Sequence, residues 1–268
     1  MKTEIRDTLN AEKILNGIKN PQNFDITVMD EIDSTNKYLK TLALNGAQAG
    51  KVIIADRQTE GHGRYNRKFH SPDSCGIYLS YLFYPTLKAE DSVLVTAAAA
   101  VAAAKACEKY CGEKIQIKWV NDLLIRGRKL CGILTEGAIN PKTKCFDWVV
   151  LGIGINVYTP ENDFDDEIKQ IATSLLKEKR ENLRNTLCAE FLNLFEEYCN
   201  NLESKSFLAD YENRLAFLGE EIFVIKPDKK IPAKAVGIDS DCRLLVEYDD
   251  LSLEYLCSGE ITIRPKGD

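Results

Sequence analysis

The segment Gln58–Ser71, QTEGHGRYNRKFHS, has the residue types and spacing best suited to ligand chemistry. It follows the apolar run Lys51–Ala55 and contains glycines, which let backbone N–H groups approach a ligand closely. Its cationic side chains, Arg64, Arg67 and Lys68, could hold phosphate oxygens. The spacing matches neither a P-loop nor a dinucleotide-binding fingerprint. On this segment alone, a solvated basic loop is an equally good interpretation.

A second candidate segment, Lys118–Glu136, places polar residues directly after an apolar run or between two of them. Asn121 and Asp122 follow the alternating run Lys114–Trp119, and Lys129 lies between two apolar stretches. Asp122 offers the kind of oxygen ligand that magnesium prefers, and Lys129 could neutralise a carboxylate or phosphate oxygen. A surface hairpin with scattered charges is the alternative interpretation.

A third segment, Leu151–Val157 (LGIGINV), alternates glycine with aliphatic residues. Glycines within a strand permit close approach of another group, and Asn156 offers a donor and an acceptor for a base edge. Tight packing against a helix would explain this pattern equally well.

The composition is that of an ordinary soluble enzyme. Of 268 residues, 28% are charged and 44% hydrophobic, and the net charge of −6 argues against a general nucleic-acid or membrane-surface binder. The start, MKTEIRDTLNAEK, lacks the apolar core of a signal peptide, and the alanine-rich run of residues 93–107 is too short for a membrane span. The nine cysteines form no CxxC pair, which favours reduced thiols. We therefore expect a cytoplasmic protein.

The elements that must position these segments are predicted from residue periodicity. Ser34 and Thr35 are suited to cap a helix over Lys37–Leu44. Further helices are predicted near the N-terminus, in the alanine run and before residue 218, at about Ala11–Ile18, Glu90–Tyr110, Leu183–Leu202 and Ser206–Phe217. Strands are predicted at Lys51–Ala55, Gly76–Tyr84, Lys114–Trp119, Leu123–Ile125, Leu130–Glu136 and Phe146–Val157. From Gly219 onward the period becomes two, and five short strands indicate a small barrel appended to an α+β domain.

Taken together and in order, the motifs resemble those of the biotin protein ligase family. That family's pattern runs from DSTN through Q-x-x-GRGRxxRxW, KWPND, KxxGIL(x)E and GxGIN to GEIxxR. In this chain the corresponding segments are Asp33–Asn36, Gln58–Phe69, Lys118–Asp122, Lys129–Glu136, Gly152–Asn156 and Gly259–Arg264. The resemblance covers about residues 27–265. It implies a mixed β-sheet flanked by helices, the class II synthetase-like biotin–lipoate ligase fold, with a C-terminal SH3-like barrel. The implied domains are a short extension at 1–26, a catalytic domain at 27–218 and an SH3-like domain at 219–268.

The resemblance also implies a role for each matching residue. Arg64 and Lys129 are the implied catalytic cations, with Lys129 bridging the biotin carboxylate and the α-phosphate. The implied biotin-binding residues are Ser34, Thr35, Asn36, Gln58, His62, Gly63, Arg64, Lys129 and Gly132. The implied ATP-binding residues are Arg64, Arg67, Lys118, Asn121, Asn156 and Arg264. Asp122 is the implied magnesium ligand.

Three residues depart from the family pattern. His62 stands where the family usually has arginine, which makes one cationic contact dependent on protonation. Val120 replaces the proline of KWPND, and Phe69 replaces the usual tryptophan, which we interpret as a packing change. None of these departures removes Arg64 or Lys129, so we expect activity.

The resemblance implies an ATP-dependent ligase that forms biotinyl-5'-AMP and transfers biotin to a lysine of a biotin carboxyl carrier protein, with ATP, biotin and Mg²⁺ as its small molecules. A lipoate ligase, a repressor that uses biotinyl-AMP as corepressor and a non-catalytic biotin-binding module are the alternatives. Because the catalytic domain begins near residue 27, we expect no DNA binding. Both a monomer and a homodimer are compatible with the sequence.

Overall fold

The larger sheet of the protein has seven strands. A computed structural model describes residues 6–226, 229–257 and 259–263. The strands are paired in the order β1-β2-β3-β7-β6-β5-β4. Only β1 and β2 run parallel, and every other neighbouring pair is antiparallel, so the predicted mixed sheet is confirmed. Their bounds are Asp25–Ile32 (β1), Lys51–Gln58 (β2), Gly76–Phe83 (β3), Gln116–Lys118 (β4), Asp122–Ile125 (β5), Arg128–Ile139 (β6) and Phe146–Asn156 (β7).

Five α-helices are described, and they flank this sheet or precede the C-terminal strands. Their bounds are Ala11–Leu15 (α1), Thr35–Leu44 (α2), Ser92–Cys111 (α3), Leu183–Asn200 (α4) and Leu208–Arg214 (α5). Ser34 caps α2 as predicted, because its side chain accepts a hydrogen bond from the N–H of Lys37. The alanine run forms α3, which is buried on nearly every side and packs against α4, α5 and β6. Among the described residues, no helix has both the length and the apolar character that crossing a membrane requires.

Strand β1 was not predicted. Its residues are all partly or fully exposed, because β1 lies at the edge of the sheet and pairs on one side only. An edge strand lacks the buried apolar run that marks the central strands β2 and β3 in the sequence. Helices α1 and α5 are also shorter than predicted, by three and five residues respectively, since they end at Leu15 and span Leu208–Arg214.

A buried ion cluster ties the N-terminal segment to the larger domain. The side chains of Arg184 and Asp7 are 2% and 1% exposed. The Arg184 guanidinium lies 2.5 Å from Asp56 Oδ1 and donates to the carbonyl of Gly76 at 3.1 Å. The hydroxyl of Tyr158 donates to Asp7 Oδ2 at 2.7 Å. The segment from Asp7 to β1 is therefore attached to the larger domain by buried contacts.

Replacing Arg184 by methionine is expected to lower the free energy of unfolding by about 3–5 kcal/mol, because Asp7 would stay buried without its cation. Urea denaturation measures this loss. The matched control is Arg126→Met, which removes an exposed pair with Glu113 and is expected to cost at most about 1 kcal/mol. Equal losses in the two variants would contradict a structural role for the buried cluster.

The C-terminal part folds into a separate antiparallel sheet of five strands in the order β11-β10-β9-β8-β12. The bounds are Glu221–Lys226 (β8), Lys229–Ile238 (β9), Leu244–Tyr248 (β10), Leu253–Leu256 (β11) and Glu260–Ile263 (β12). All five predicted strands are present, and among the described residues β11 and β12 form the two edges. The indole N–H of Trp119 donates to the carbonyl of Cys242 at 3.0 Å, which joins this sheet to the larger domain.

Candidate active site

One cleft is lined by residues from every motif that the sequence singled out. The final motif, Gly259–Arg264, contributes Glu260. The cleft contains about 870 Å³ of space, part of which is open to solvent. The residues lining it that were also predicted to bind ligands are Ser34, Thr35, Asn36, Gln58, His62, Gly63, Arg64, Arg67, Lys118, Asn121, Asp122, Lys129 and Gly132. Strands β3, β6 and β7 form its floor, and the loop after β2 forms its rim.

The glycines of β7 make room for side chains that line the cleft. A Cβ atom on Gly152 would lie 2.1 Å from Asn36 Oδ1, and one on Gly154 would lie 2.4 Å from the ring of Phe69. Close approach of another group is therefore the reason for the alternating glycines, and that group is a polar side chain in one case and an aromatic ring in the other. Phe69, which replaces the family's tryptophan, packs edge-on against Tyr78.

Replacing Gly152 by alanine is expected to displace the Asn36 amide. The KM for the substrate that binds beside Asn36 in the cleft should then rise by about tenfold or more. Steady-state kinetics with each substrate varied in turn measures this effect. Gly237→Ala is the matched control, because a Cβ atom on this other strand glycine meets no atom within 4 Å and its φ is not positive. Similar kinetics in both variants would contradict the expected collision.

The inner end of the cleft is polar and rigidly connected. Gln58 Oε1 accepts hydrogen bonds from the backbone N–H of Thr35 at 2.9 Å and lies 3.0 Å from the Thr35 hydroxyl oxygen. Gln58 Nε2 donates to the hydroxyl of Ser71 at 3.1 Å. Ser34 and Thr35 lie at the start of α2, so these hydrogen bonds join the end of β2 to the helix start beside the cleft.

His62 lies between the cap of α2 and a carboxylate on β6. Its Nδ1 is 3.4 Å from Ser34 Oγ, and its Nε2 is 3.9 Å from Glu136 Oε2. Glu136 also accepts hydrogen bonds from Lys40 Nζ at 2.7 Å and Asn36 Nδ2 at 2.9 Å. Burial raises the pKa of Glu136, but Lys40, Asn36 and His62 outweigh it, and the pKa lies below its ordinary value. Glu136 is therefore an anion at neutral pH.

The outer end of the cleft is cationic and touches the C-terminal sheet. Arg64 donates to Asn121 Oδ1 at 3.1 Å and to the carbonyl of Gly259 at 2.7 Å. Arg67 Nη1 lies 2.7 Å from Glu260 Oε1. Burial raises the pKa of Glu260, but Arg67 and more distant cations outweigh it and hold the pKa below its ordinary value. A phosphate-bearing ligand would thus find two guanidinium groups already turned towards the cleft.

Lys129 also lines the cleft. Its Nζ lies 2.8 Å from Asp122 Oδ1, and its backbone pairs with residues 171 and 173 of the segment after β7. A Cβ atom on Gly132 would lie 3.2 Å from Lys129 Nζ, so the glycine leaves space for the ammonium group. Lys129 can therefore contact an anionic group bound in the cleft.

Two predicted nucleotide-binding residues are not among the described residues that line the cleft. Asn156 is not among the residues that line the cleft, and its side-chain amide donates to the carbonyl of Thr173 at 3.1 Å. Arg264 lies outside the described residues. No set of three His, Cys, Asp or Glu side chains suited to a metal ion occurs among the described residues.

Sequence reasoning missed several residues of the site. Tyr65, Trp119 and Glu260 line the cleft, and Lys40 and Ser80 contact the residues that do. Trp119 and Glu260 lie inside the motifs Lys118–Asp122 and Gly259–Arg264, and their position in these motifs is the sequence signal that could have identified them. Lys40 and Ser80 lie in a helix and a strand whose periodicity reports burial alone, and nothing in the sequence pattern marks them as part of a site.

Comparison with known proteins identifies the family. The Biotin/lipoate A/B protein ligase family matches residues 28–156, and the Biotin protein ligase C terminal domain matches residues 217–264. The bifunctional ligase/repressor BirA of Bacillus subtilis (strain 168) is 34% identical over 238 residues, which are 87% of this chain and 72% of that protein. The chain belongs to the biotin protein ligase family.

Two further comparisons support the same family. The biotin--[acetyl-CoA-carboxylase] ligase of Mycobacterium tuberculosis is 30% identical over 240 residues, which cover 83% of each chain. The biotin protein ligase from Aquifex aeolicus, solved in complex with biotin and ATP, superposes with a TM-score of 0.73 at 28% identity and covers 90% of this chain and 98% of that one. The predicted fold class and the prediction of a biotin ligase enzyme are confirmed.

Proposed function

We propose that the chain activates biotin with ATP as biotinyl-5'-AMP and then transfers the biotinyl group to a lysine of a biotin carboxyl carrier protein. The observation that carries this proposal is one cleft with a polar end at Thr35 and Gln58 and a cationic end at Arg64 and Lys118, and with Lys129 in its lining. Such an arrangement fits a ligand with a polar head at one end and a carboxylate that must meet a phosphate at the other.

The chemistry explains why cations are needed. A free carboxylate does not acylate amines at neutral pH, because oxide is a poor leaving group. Attack of the biotin carboxylate oxygen on the α-phosphorus of ATP forms a C–O–P mixed anhydride and breaks the bond to pyrophosphate, which leaves. Two anions must approach each other, and Arg64 and Lys129 stabilise the charge that develops. The amine of the acceptor lysine then attacks the carbonyl carbon, and AMP leaves.

The residue roles follow the two ends of the cleft. Lys129 would contact both the carboxylate and the α-phosphate. The biotin head would be bound by Ser34, Thr35, Asn36, Gln58, His62, Gly63 and Gly132. The nucleotide would be bound by Arg64, Arg67, Lys118, Asn121, Asn156 and Arg264. Arg67 would exchange Glu260 for phosphate, and Asn156 would exchange the carbonyl of Thr173 for the base.

Magnesium would be bound at this site mainly by the phosphates of the nucleotide and less by protein side chains. Mg²⁺ is commonly bound by one or two carboxylates together with substrate phosphates and water. Asp122 lines the cleft and would supply one carboxylate oxygen, in exchange for its contact with Lys129. When bound there, the ion would neutralise phosphate charge.

No covalent enzyme intermediate is needed in this reaction. Cys131, near the floor of the cleft, is fully buried, and burial raises the pKa of its thiol well above the ordinary value. It therefore stays protonated and unreactive. Direct attack by the acceptor amine on the anhydride is the simpler route.

The acceptor and the compartment are part of the proposal. The name of the Mycobacterium tuberculosis relative specifies acetyl-CoA carboxylase, which supports a carboxylase carrier domain as acceptor. All nine cysteines are free thiols in the structure, which supports the reducing cytoplasm. The expectation that the protein does not bind DNA stays a prediction, and a gel-shift assay showing specific operator binding would overturn it.

Pyrophosphate release separates this function from lipoate ligation and from passive biotin binding. With Mg²⁺-ATP present, release is expected to depend on biotin and to be absent with lipoate. Release with lipoate alone would make the protein a lipoate ligase, and tight biotin binding without pyrophosphate release would make it a binding module.

A further inference from the structure

A continuous chain of polar side chains runs beneath the inner end of the cleft. It begins at Lys40, whose ammonium group donates to Glu136. Glu136 accepts from Asn36 Nδ2, and Asn36 Oδ1 lies 2.5 Å from Ser80 Oγ. Ser80 is fully buried, and its hydroxyl oxygen lies 2.8 Å from Thr35 Oγ1. The chain therefore connects a carboxylate on β6 with a hydroxyl that lines the cleft.

The carboxylate fixes the direction of this chain. An ionised carboxylate only accepts hydrogen bonds, so the Asn36 amide must turn its NH₂ group towards Glu136. The carbonyl oxygen of Asn36 then faces Ser80 and can only accept. The single hydroxyl hydrogen of Ser80 is consequently committed to Asn36 and is not available to Thr35.

The two hydroxyl hydrogens of Ser80 and Thr35 are too few for the three contacts that these hydroxyl groups make with Asn36, with Gln58 and with each other. Thr35 Oγ1 has oxygen neighbours on two sides, Ser80 at 2.8 Å and Gln58 Oε1 at 3.0 Å, and has one hydrogen for the two contacts. The Gln58 amide is fixed with its oxygen towards Thr35, because Oε1 accepts from the Thr35 backbone N–H while Nε2 donates to Ser71. The Thr35 hydroxyl donates to Gln58 Oε1, so Thr35 Oγ1 is the acceptor oxygen at the cleft that receives no hydrogen.

We propose that Glu136 is a positioning residue that sets the direction of this hydrogen-bond chain, so that Thr35 Oγ1 presents an acceptor oxygen at the cleft which selects a ligand with an N–H donor. The inference rests on the proposed function. Biotin has a ureido ring with two N–H groups, whereas the dithiolane ring of lipoate has none. A buried acceptor left without a donor strongly disfavours the analogue that cannot supply one.

A neutral amide in place of the carboxylate removes the constraint. In Glu136→Gln, the new side chain turns its oxygen to Lys40 and its NH₂ group to Asn36, so the Asn36 amide reverses. Asn36 then donates to Ser80, Ser80 donates to Thr35, and Thr35 donates to Gln58. Every contact then has a hydrogen, and Thr35 Oγ1 accepts from Ser80 instead of being left without a donor, with almost no change in side-chain volume at residue 136.

The first test measures steady-state kinetics of Glu136→Gln in the full chain. The KM for biotin is expected to rise roughly tenfold, the usual effect of one hydrogen bond, with kcat and the KM for ATP within about twofold of the unsubstituted protein. Glu31→Gln is the matched control, since Glu31 makes an exposed ion pair with Arg57 on the same sheet. An unchanged KM for biotin in Glu136→Gln would overturn the inference.

A second variant, Lys40→Met, separates chain direction from simple support of the fold. It removes one partner of Glu136 but keeps the carboxylate, so the KM for biotin is expected to stay near its ordinary value at neutral pH. Lys40 helps to hold the pKa of Glu136 low. Without it, Glu136 is protonated at a higher pH, and the KM for biotin should begin to rise at a higher pH on acidification than in the unsubstituted protein.

Among the described residues, the charged or titratable groups that face Glu136 are Lys40 on α2 and His62 on the loop after β2. His62 is present both in Lys40→Met and in the unsubstituted protein. A difference between their pH profiles of the KM for biotin therefore reports on the Glu136 carboxylate. Equal and pH-independent increases in Lys40→Met and Glu136→Gln would show support of the fold only and overturn the inference. Lack of biotin-dependent pyrophosphate release in the unsubstituted protein would instead overturn the proposed function.

Discussion

Lys129→Ala is expected to slow biotinyl-AMP formation by about 10³-fold, with little change in folding. Lys129 is a cation in the lining of the cleft, and its Nζ lies 2.8 Å from Asp122. Removal of one preorganised charge-stabilising donor costs about 10²–10³ in rate, and here the remaining carboxylate of Asp122 would add repulsion towards the incoming anions. Quenched-flow measurement of biotin-dependent pyrophosphate release gives the rate of this step.

Two controls belong to this prediction. Lys142→Ala removes an exposed lysine from a turn and is expected to leave the rate unchanged. Thermal unfolding of Lys129→Ala checks that the lost rate is not a loss of structure, which is needed because the substitution removes the cation beside the half-buried carboxylate of Asp122. A normal rate in Lys129→Ala would mean that the cleft does not bring carboxylate and phosphate together at this residue.

Arg64→Ala is expected to lower kcat for adenylate formation by about 10²-fold. Arg64 is held by Asn121 on one side and by the carbonyl of Gly259 on the other, so its guanidinium is already oriented when the nucleotide arrives. If it stabilises charge that develops on the α-phosphate, kcat and kcat/KM for ATP should fall together. Steady-state kinetics with ATP varied separates this from a loss of ground-state binding.

The control for Arg64 is Arg57→Ala, which removes an exposed arginine that pairs with Glu31 outside the cleft. It is expected to keep the kinetics of the unsubstituted protein. An Arg64→Ala variant whose KM for ATP rises while kcat stays constant would indicate that Arg64 only anchors the nucleotide. An unchanged kcat/KM would exclude it from the reaction.

Local signals in the sequence predicted the parts of the fold that depend on local chemistry. Ser34 is both a good N-cap and the residue before a helical pattern, and α2 begins directly after it. The glycines of β7 signalled close approach of other groups, and Asn36 and Phe69 occupy that space. The cationic residues Arg64 and Lys129 were recognisable only from the ordered set of motifs, because each segment alone also fits a solvated loop or a surface hairpin.

Contacts between residues distant in sequence were not predictable in the same way. Asn36 and Glu136 are separated by 100 residues, and Arg64 and Gly259 by 195. The first pair meets because the sheet order places β6 and β7 beside β3. The second meets because the C-terminal sheet lies against the loop after β2. Residue periodicity predicts neither the strand order nor the contact between the two sheets. The edge strand β1 was not predicted for a related reason. It pairs on one side only, and none of its residues is fully buried, so its sequence lacks the apolar pattern of a central strand.

The central claim is that one cleft lets a carboxylate and a phosphate meet and then passes the activated acid to an amine. Incubation of the purified protein with biotin, Mg²⁺-ATP and a carboxylase carrier domain, followed by intact mass measurement of the carrier, tests it most directly. A carrier heavier by a single biotinyl group, formed only when ATP is present, is the result expected. An unmodified carrier with no enzyme-bound biotinyl-AMP would contradict the account.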